Sequence, residues 1–168
     1  MSVRHRPPST VVARLGLLRG DAVLAGVDLG AAGWAVASRA GLHLLADDAG
    51  RSTPWCDVDH GTLDPATRTL TVWWVTGARA DLVLPENRDA QAFARVFRER
   101  VDQSVVHSAA VRLPAGAGSA RVAVRRDAHG GLFTQVLADG VVDLDDQRVR
   151  TAVDEAEAQA RDATGLPR

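Results

Sequence analysis

The hydrophobic pattern of the chain changes period near residue 85. Upstream of that point, short runs rich in valine and leucine, DAVLAGVDL (21–29), GWAVASR (33–39) and GLHLLA (41–46), are punctuated by Gly30, Gly33 and Gly41. Runs of this length bounded by turn residues predict strands. Strand side chains alternate between faces, so Trp34, Val36 and Ser38 share one face and Ala35, Ala37 and Arg39 the other. TLTVWWVT (69–76) is β-branched and aromatic, which again favours a strand, and DLVLP closes the β-rich half at Pro85. Before it, Asp64-Pro65 predicts a turn: proline fixes φ and the aspartate can hydrogen-bond nearby backbone.

Downstream of Pro85 the apolar residues recur at three and four residue steps. Ala90, Phe93, Phe97, Val101 and Ser104-Val105 form one stripe, predicting an amphipathic helix over about 88–106 with Arg95, Arg98, Glu99 and Asp102 on its wet side. Asn87 suits the N-cap and Asp89 complements the dipole in the first turn. A Gly-rich connection, Ala115 to Gly118, then separates two β-like runs, and RVAVRR with GLFTQVLA reads as a hairpin across DAHG. A last helix over about 145–164 is capped by Asp145 or Asp146, turns Val149, Val153, Ala156 and Ala160 inward, and stops at Gly165. The fold class is therefore α+β.

The stretch PWCDVDHGTLDPATRTLTVWW (54–74) holds the densest set of reactive residue types. Read as strand, turn and strand, it places Trp55, Asp57 and Asp59 on one face and Cys56, Val58 and His60 on the other. A thiolate beside an imidazole would be a nucleophile. Four residues of extended chain, however, separate Cys56 from His60 by roughly 13 Å, too far for a hydrogen bond or a shared metal. Asp57 and Asp59 would lie about 7 Å apart, a separation paired carboxylates tolerate. Other motifs reduce to structure. Asp143 with Asp145-Asp146 lacks the glycine and closing glutamate of a calcium loop. Ala115 to Gly118 lacks the Lys-Ser/Thr ending of a phosphate loop, and Arg125-Arg126 with His129 fits a hairpin turn. No catalytic, cofactor or metal site is assigned.

Charge and cysteine usage narrow the classes further. The formal charge of −1 over 168 residues gives no global field for nucleic acid or an anionic membrane. Arg4, Arg6, Arg14 and Arg19 make the start basic, and acids dominate beyond Asp139; both read as solvated charge. Cys56 is the single cysteine, which excludes an intrachain disulfide and a Cys-rich zinc site and fits a reducing cytoplasm. The apolar run in VVARLGLLRGD is too short and interrupted for a signal segment or a membrane span.

Strands, a meander and a closing amphipathic helix resemble pleckstrin-homology (PH)-like barrels. GDAVLAGVDLG with GWAVASRAGLHLL looks like the opening strand pair of the bacterial members, and residues 54–74 look like their strand, turn and strand. The chain is also similar to uncharacterised actinobacterial proteins through LRGDAVLAG, WAVASRAGLHLL, PWCDVDHGTLD, RERVDQSVV, VAVRR and VVDLDDQRVRTAV. The resemblance implies a flexible N-terminus (1–14), a small antiparallel barrel or sheet with its capping helix (15–106), and an added β-hairpin and helix packed on the same domain (107–168). It implies no activity.

The function expected from these readings is a non-enzymatic protein-interaction or scaffolding module. Consecutive Trp73 and Trp74 must point to opposite faces, so one leaves the interior and joins a contact surface expected to include Arg95, Arg98 and Arg125. Lipid recognition is not expected, since the turn DLGAAGW carries no Lys or Arg. The alternative is a small-ligand protein or enzyme with a pocket rimmed by Asp57, Asp59 and His60, which requires a concave apolar site beside them.

Overall fold

A computed structural model of the chain describes residues 6–47 and 49–167. Among the described residues the class is α+β, with three antiparallel sheets and three α-helices. They divide into two compact units, residues 1–102 and 103–168.

In the first unit a short helix, α1 (Ser9–Arg14), precedes a four-stranded sheet made of β1 (Val23–Asp28), β2 (Trp34–Ser38), β3 (Gly41–Leu45) and β4 (Gly50–Pro54) in sequence order. A second sheet follows from β5 (Val58–Asp64), β6 (Thr69–Trp74) and β7 (Arg79–Val83). Of the barrel or sheet expected, the described residues form two separate antiparallel sheets and no closed barrel, and the chain passes from β4 to β5 through a 3-10 turn at Trp55–Asp57. That turn also corrects the alternation expected at 55–60. Trp55, Cys56 and Val58 are all buried, whereas the His60 side chain is 55% exposed.

Helix α2 (Arg88–Ser104) joins the two sheets. Its stripe of Ala90, Phe93, Phe97 and Val101 shares one core with Ala35, Ala37 and Leu42 of the first sheet and Val58, Val72 and Trp74 of the second. The expected cap is present: Asn87 Oδ1 accepts from Ala90 N–H at 2.8 Å. Close approach of the helix depends on Gly61, where a Cβ would stand 2.3 Å from Phe97 Cε1.

The other face of the first sheet is covered too. Leu15, with Val11, Val12 and Leu17, packs on Trp34, Val36 and Leu45, and Arg14 donates to the carbonyls of Ala46 and Asp47. Within the start expected over residues 1–14, α1 carries Val11 and Val12 onto this sheet face; residues 1–5, with Arg4, lie outside the described residues.

The second unit pairs β8 (Val105–Val111), β9 (Ser119–Arg126) and β10 (Leu132–Asp139) in the order β10-β9-β8. The expected hairpin is β9 with β10, registered from Ser119↔Asp139 to Arg126↔Leu132, and β8 adds a third strand. Helix α3 (Gln147–Thr164) sets Val153 and Ala160 against Val111, Ala120, Val122 and Val124. Asp146 caps it by accepting from Arg148 N–H, and Gly165 ends it at φ 71°. No helix among the described residues is long and apolar enough to cross a membrane.

Candidate functional site

Strand β6 alternates strictly, and this alternation decides which tryptophan leaves the core. Leu70, Val72 and Trp74 point inward, and Trp74 is 3% exposed with its indole N–H donating to Thr53 Oγ1 at 3.3 Å. Thr69, Thr71 and Trp73 point outward and are half-buried. The register then builds three cross-strand rows on the outer face: His60, Trp73 and Arg79; Thr62, Thr71 and Asp81; Asp64, Thr69 and Val83.

The first row is a stack. The His60 ring lies parallel to the Trp73 indole, with 5.8 Å between centroids and 16° between planes. The Arg79 guanidinium sits 5.3 Å from the same indole centroid. His60 Nδ1 is held 2.9 Å from Asp59 Oδ2. In the second row Thr71 Oγ1 donates to Asp81 Oδ1 at 2.7 Å. At the end of the face Asp64 accepts from Ala66 N–H and the Thr67 hydroxyl, which hold its carboxyl below the usual range. The result is an aromatic centre framed by one guanidinium, an imidazole and carboxylates.

The contact surface expected from the sequence is assembled only in part. Trp73 is its outward tryptophan. Trp74 is in the core, and Arg125, on β9 of the second unit, is buried with 0% exposure. Strand parity sends Trp74 to the inner face of β6, with Leu70 and Val72. Arg95 and Arg98 are exposed on α2, where Arg98 pairs with Asp102 at 3.7 Å. Because α2 packs on the inner side of β6, its wet face and the outer face of β5–β7 are separate surfaces. Arg79 was the cation missed: counting back across the Gly77 turn places it opposite Trp73.

Asp57, Asp59 and His60 are not among the residues that line one cleft of the first unit. That cleft, of about 340 Å³, lies between the β1–β2 and β3–β4 turns and the edge strand β7, with Leu29, Trp34, Leu44, Arg51, Asp81 and Val83 among its walls. Asp57 sits in the 3-10 turn, and Cys56 is buried beneath it. Among the described residues no three His, Cys, Asp or Glu side chains converge as a metal site would require.

A hydrogen-bond chain in the first sheet holds the other concentration of polar chemistry. Asp21 Oδ2 lies 2.8 Å from Ser38 Oγ, Ser38 Oγ lies 2.9 Å from His43 Nε2, and His43 Nδ1 lies 2.8 Å from Ser52 Oγ. A carboxylate only accepts, so the Ser38 proton goes to Asp21, His43 Nε2–H donates to Ser38, and Nδ1 accepts from Ser52. Burial of the ring lowers the His43 pKa from its usual range, partly opposed by the Asp21 charge, so the neutral imidazole fits its place. Comparison of the chain with protein-family models, curated proteins and solved structures finds no match.

Proposed function

We propose that the chain is a non-enzymatic protein-interaction module built on a PH-like core, and that its docking face is the outer face of β5–β7. The PH-like reading is supported by the order of elements in the first unit: four antiparallel strands, three antiparallel strands, then an amphipathic helix packed on both. The docking reading rests on one observation, the His60, Trp73 and Arg79 stack on an open sheet face. Tryptophan and arginine dominate interface hot spots because they bring large contact area with little conformational entropy to lose. Here the indole is already held between two neighbours, so ordering it on binding costs little. The chemistry of the face defines its partner as a protein segment presenting an apolar side chain to Trp73 and a carboxylate to Arg79.

Affinity capture with a photo-crosslinking side chain at position 71 tests this reading. A partner that crosslinks from that position and is lost with Trp73→Ala and with Arg79→Ala, while Arg98→Ala retains it, is the expected result. Capture undiminished by Trp73→Ala would overturn it.

A further inference from the structure

The cleft between the turns and β7 has a different chemistry from the docking face. Its walls are aliphatic and aromatic, drawn from Leu29, Trp34, Leu44, Leu45, Leu82 and Val83. Its volume, about 340 Å³, falls within the range of small-molecule sites. Among the described residues, two charged residues line it, Arg51 of β4 and Asp81 of β7.

These two charges are in unequal situations. Asp81 accepts a hydrogen bond from the Thr71 hydroxyl. Arg51 stands with its guanidinium carbon 4.3 Å from the centroid of the buried Trp74 ring, and among the described residues no carboxylate pairs with it. A guanidinium seated over an indole face interacts through its charge and keeps N–H groups for an acceptor. Alternation along β4 produces this: Arg51 and Thr53 face Trp74, while Ser52 faces His43 on the opposite side.

We propose that this cleft binds a monoanionic carboxylic acid with an apolar body, its carboxylate on Arg51 and its hydrocarbon against the aliphatic walls. A neutral apolar occupant would strip water from Arg51 and return no hydrogen bond. A dianionic phosphate would meet one cation with the Asp81 carboxylate also in the wall, so its second charge is opposed. A carboxylate matches the fork geometry of a single arginine, with two oxygens for two N–H groups.

Calorimetric titration of the full chain with decanoate, below its micelle-forming concentration, tests the assignment, with decan-1-ol and decyl phosphate as comparators. One saturable site for decanoate is expected, with decan-1-ol and decyl phosphate both weaker. Arg51→Gln should weaken decanoate about tenfold or more, the size of one charge-assisted hydrogen bond. Asp81→Asn should tighten it, and Ala32→Leu, which adds bulk at the cleft wall, should abolish it. Thermal melts establish that each variant folds; if Arg51→Gln does not, Asp81→Asn and Ala32→Leu decide. No saturable decanoate site, affinity unchanged in the folded variants, or decan-1-ol or decyl phosphate binding as tightly as decanoate would each overturn the proposal.

Discussion

In the sheet β1–β4, four of the five residues of β2 are buried, whereas in β5–β7 the residues of β6 alternate between buried and half-buried. The difference comes from what covers each sheet. α2 lies on the inner face of both, and among the described residues the first sheet has a second cover, the segment around Leu15. Polar groups under such a cover must find partners within the protein, and in the first sheet buried Ser38 and His43 do so in the chain that runs from half-buried Asp21 to exposed Ser52. A sheet covered on one side can leave polar and aromatic groups to solvent, and the second sheet presents its tryptophan stack there. Buried polar chemistry in this unit therefore secures strands, and the chemistry available to partners lies on the open face.

The adjacent tryptophans make the sharpest test of that contrast. Trp74→Ala removes a core side chain and should destabilise the protein by about 3–5 kcal/mol in urea unfolding. Trp73→Ala, one residue away on the open face, should cost about 1 kcal/mol, the scale of a lost aromatic stack. Equal losses would mean that both faces of β6 are covered and would break the comparison.

Hydroxyl deletions probe the same contrast with smaller effects. Ser38 is 0% exposed, and it links Asp21 to His43. Ser38→Ala should cost about 1–3 kcal/mol by leaving buried polar partners unsatisfied. Thr71→Val removes an equally short hydrogen bond, to Asp81, on the solvent side and should change stability by less than about 0.5 kcal/mol.

Much of this contrast is legible in the sequence, but unevenly. TLTVWW alternates, so its inner and outer residues follow from parity alone, and the three-four spacing of Ala90, Phe93, Phe97 and Val101 gives α2 its buried stripe. The caps at Asn87 and Asp146 are likewise written in local residue types. The 3-10 turn at Trp55–Asp57 was not legible, because nothing in PWCDVDH breaks a strand after Pro54 and its residues can be assigned to two faces as a strand's would be; burial of Trp55, Cys56 and Val58 together overrides that assignment. The cover over the first sheet was equally hidden. VVARLGLL is short enough to read as a loose end, and only the apolar outer residues Trp34, Val36 and Leu45 show that something must lie on them. The cleft needs turns and strands far apart in sequence, so no local pattern announces Arg51.

The smallest expected effect is a pH dependence carried by His43. Its folded-state pKa is lowered, first by burial, with the Asp21 charge acting in the opposite direction. The unfolded chain, titrating near the ordinary 6.5, then binds more protons than the folded one once the pH drops to that value. Stability contributed by the neutral ring is fully present above about pH 6.5 and is lost as the pH falls below it toward the folded pKa. Carboxylates titrate in the same acid direction, so the informative quantity is the difference between wild type and His43→Gln. Urea midpoints measured at pH 7.5 and 5.5 should fall more steeply in the wild type, because glutamine preserves a side-chain donor and acceptor without a proton to gain. Parallel slopes would show that His43 accepts its second proton without cost, with Ser52 turning to receive it. The chain from Asp21 to Ser52 would then be an adaptable polar seam, and the contrast between a sealed sheet and an open one would rest on packing alone.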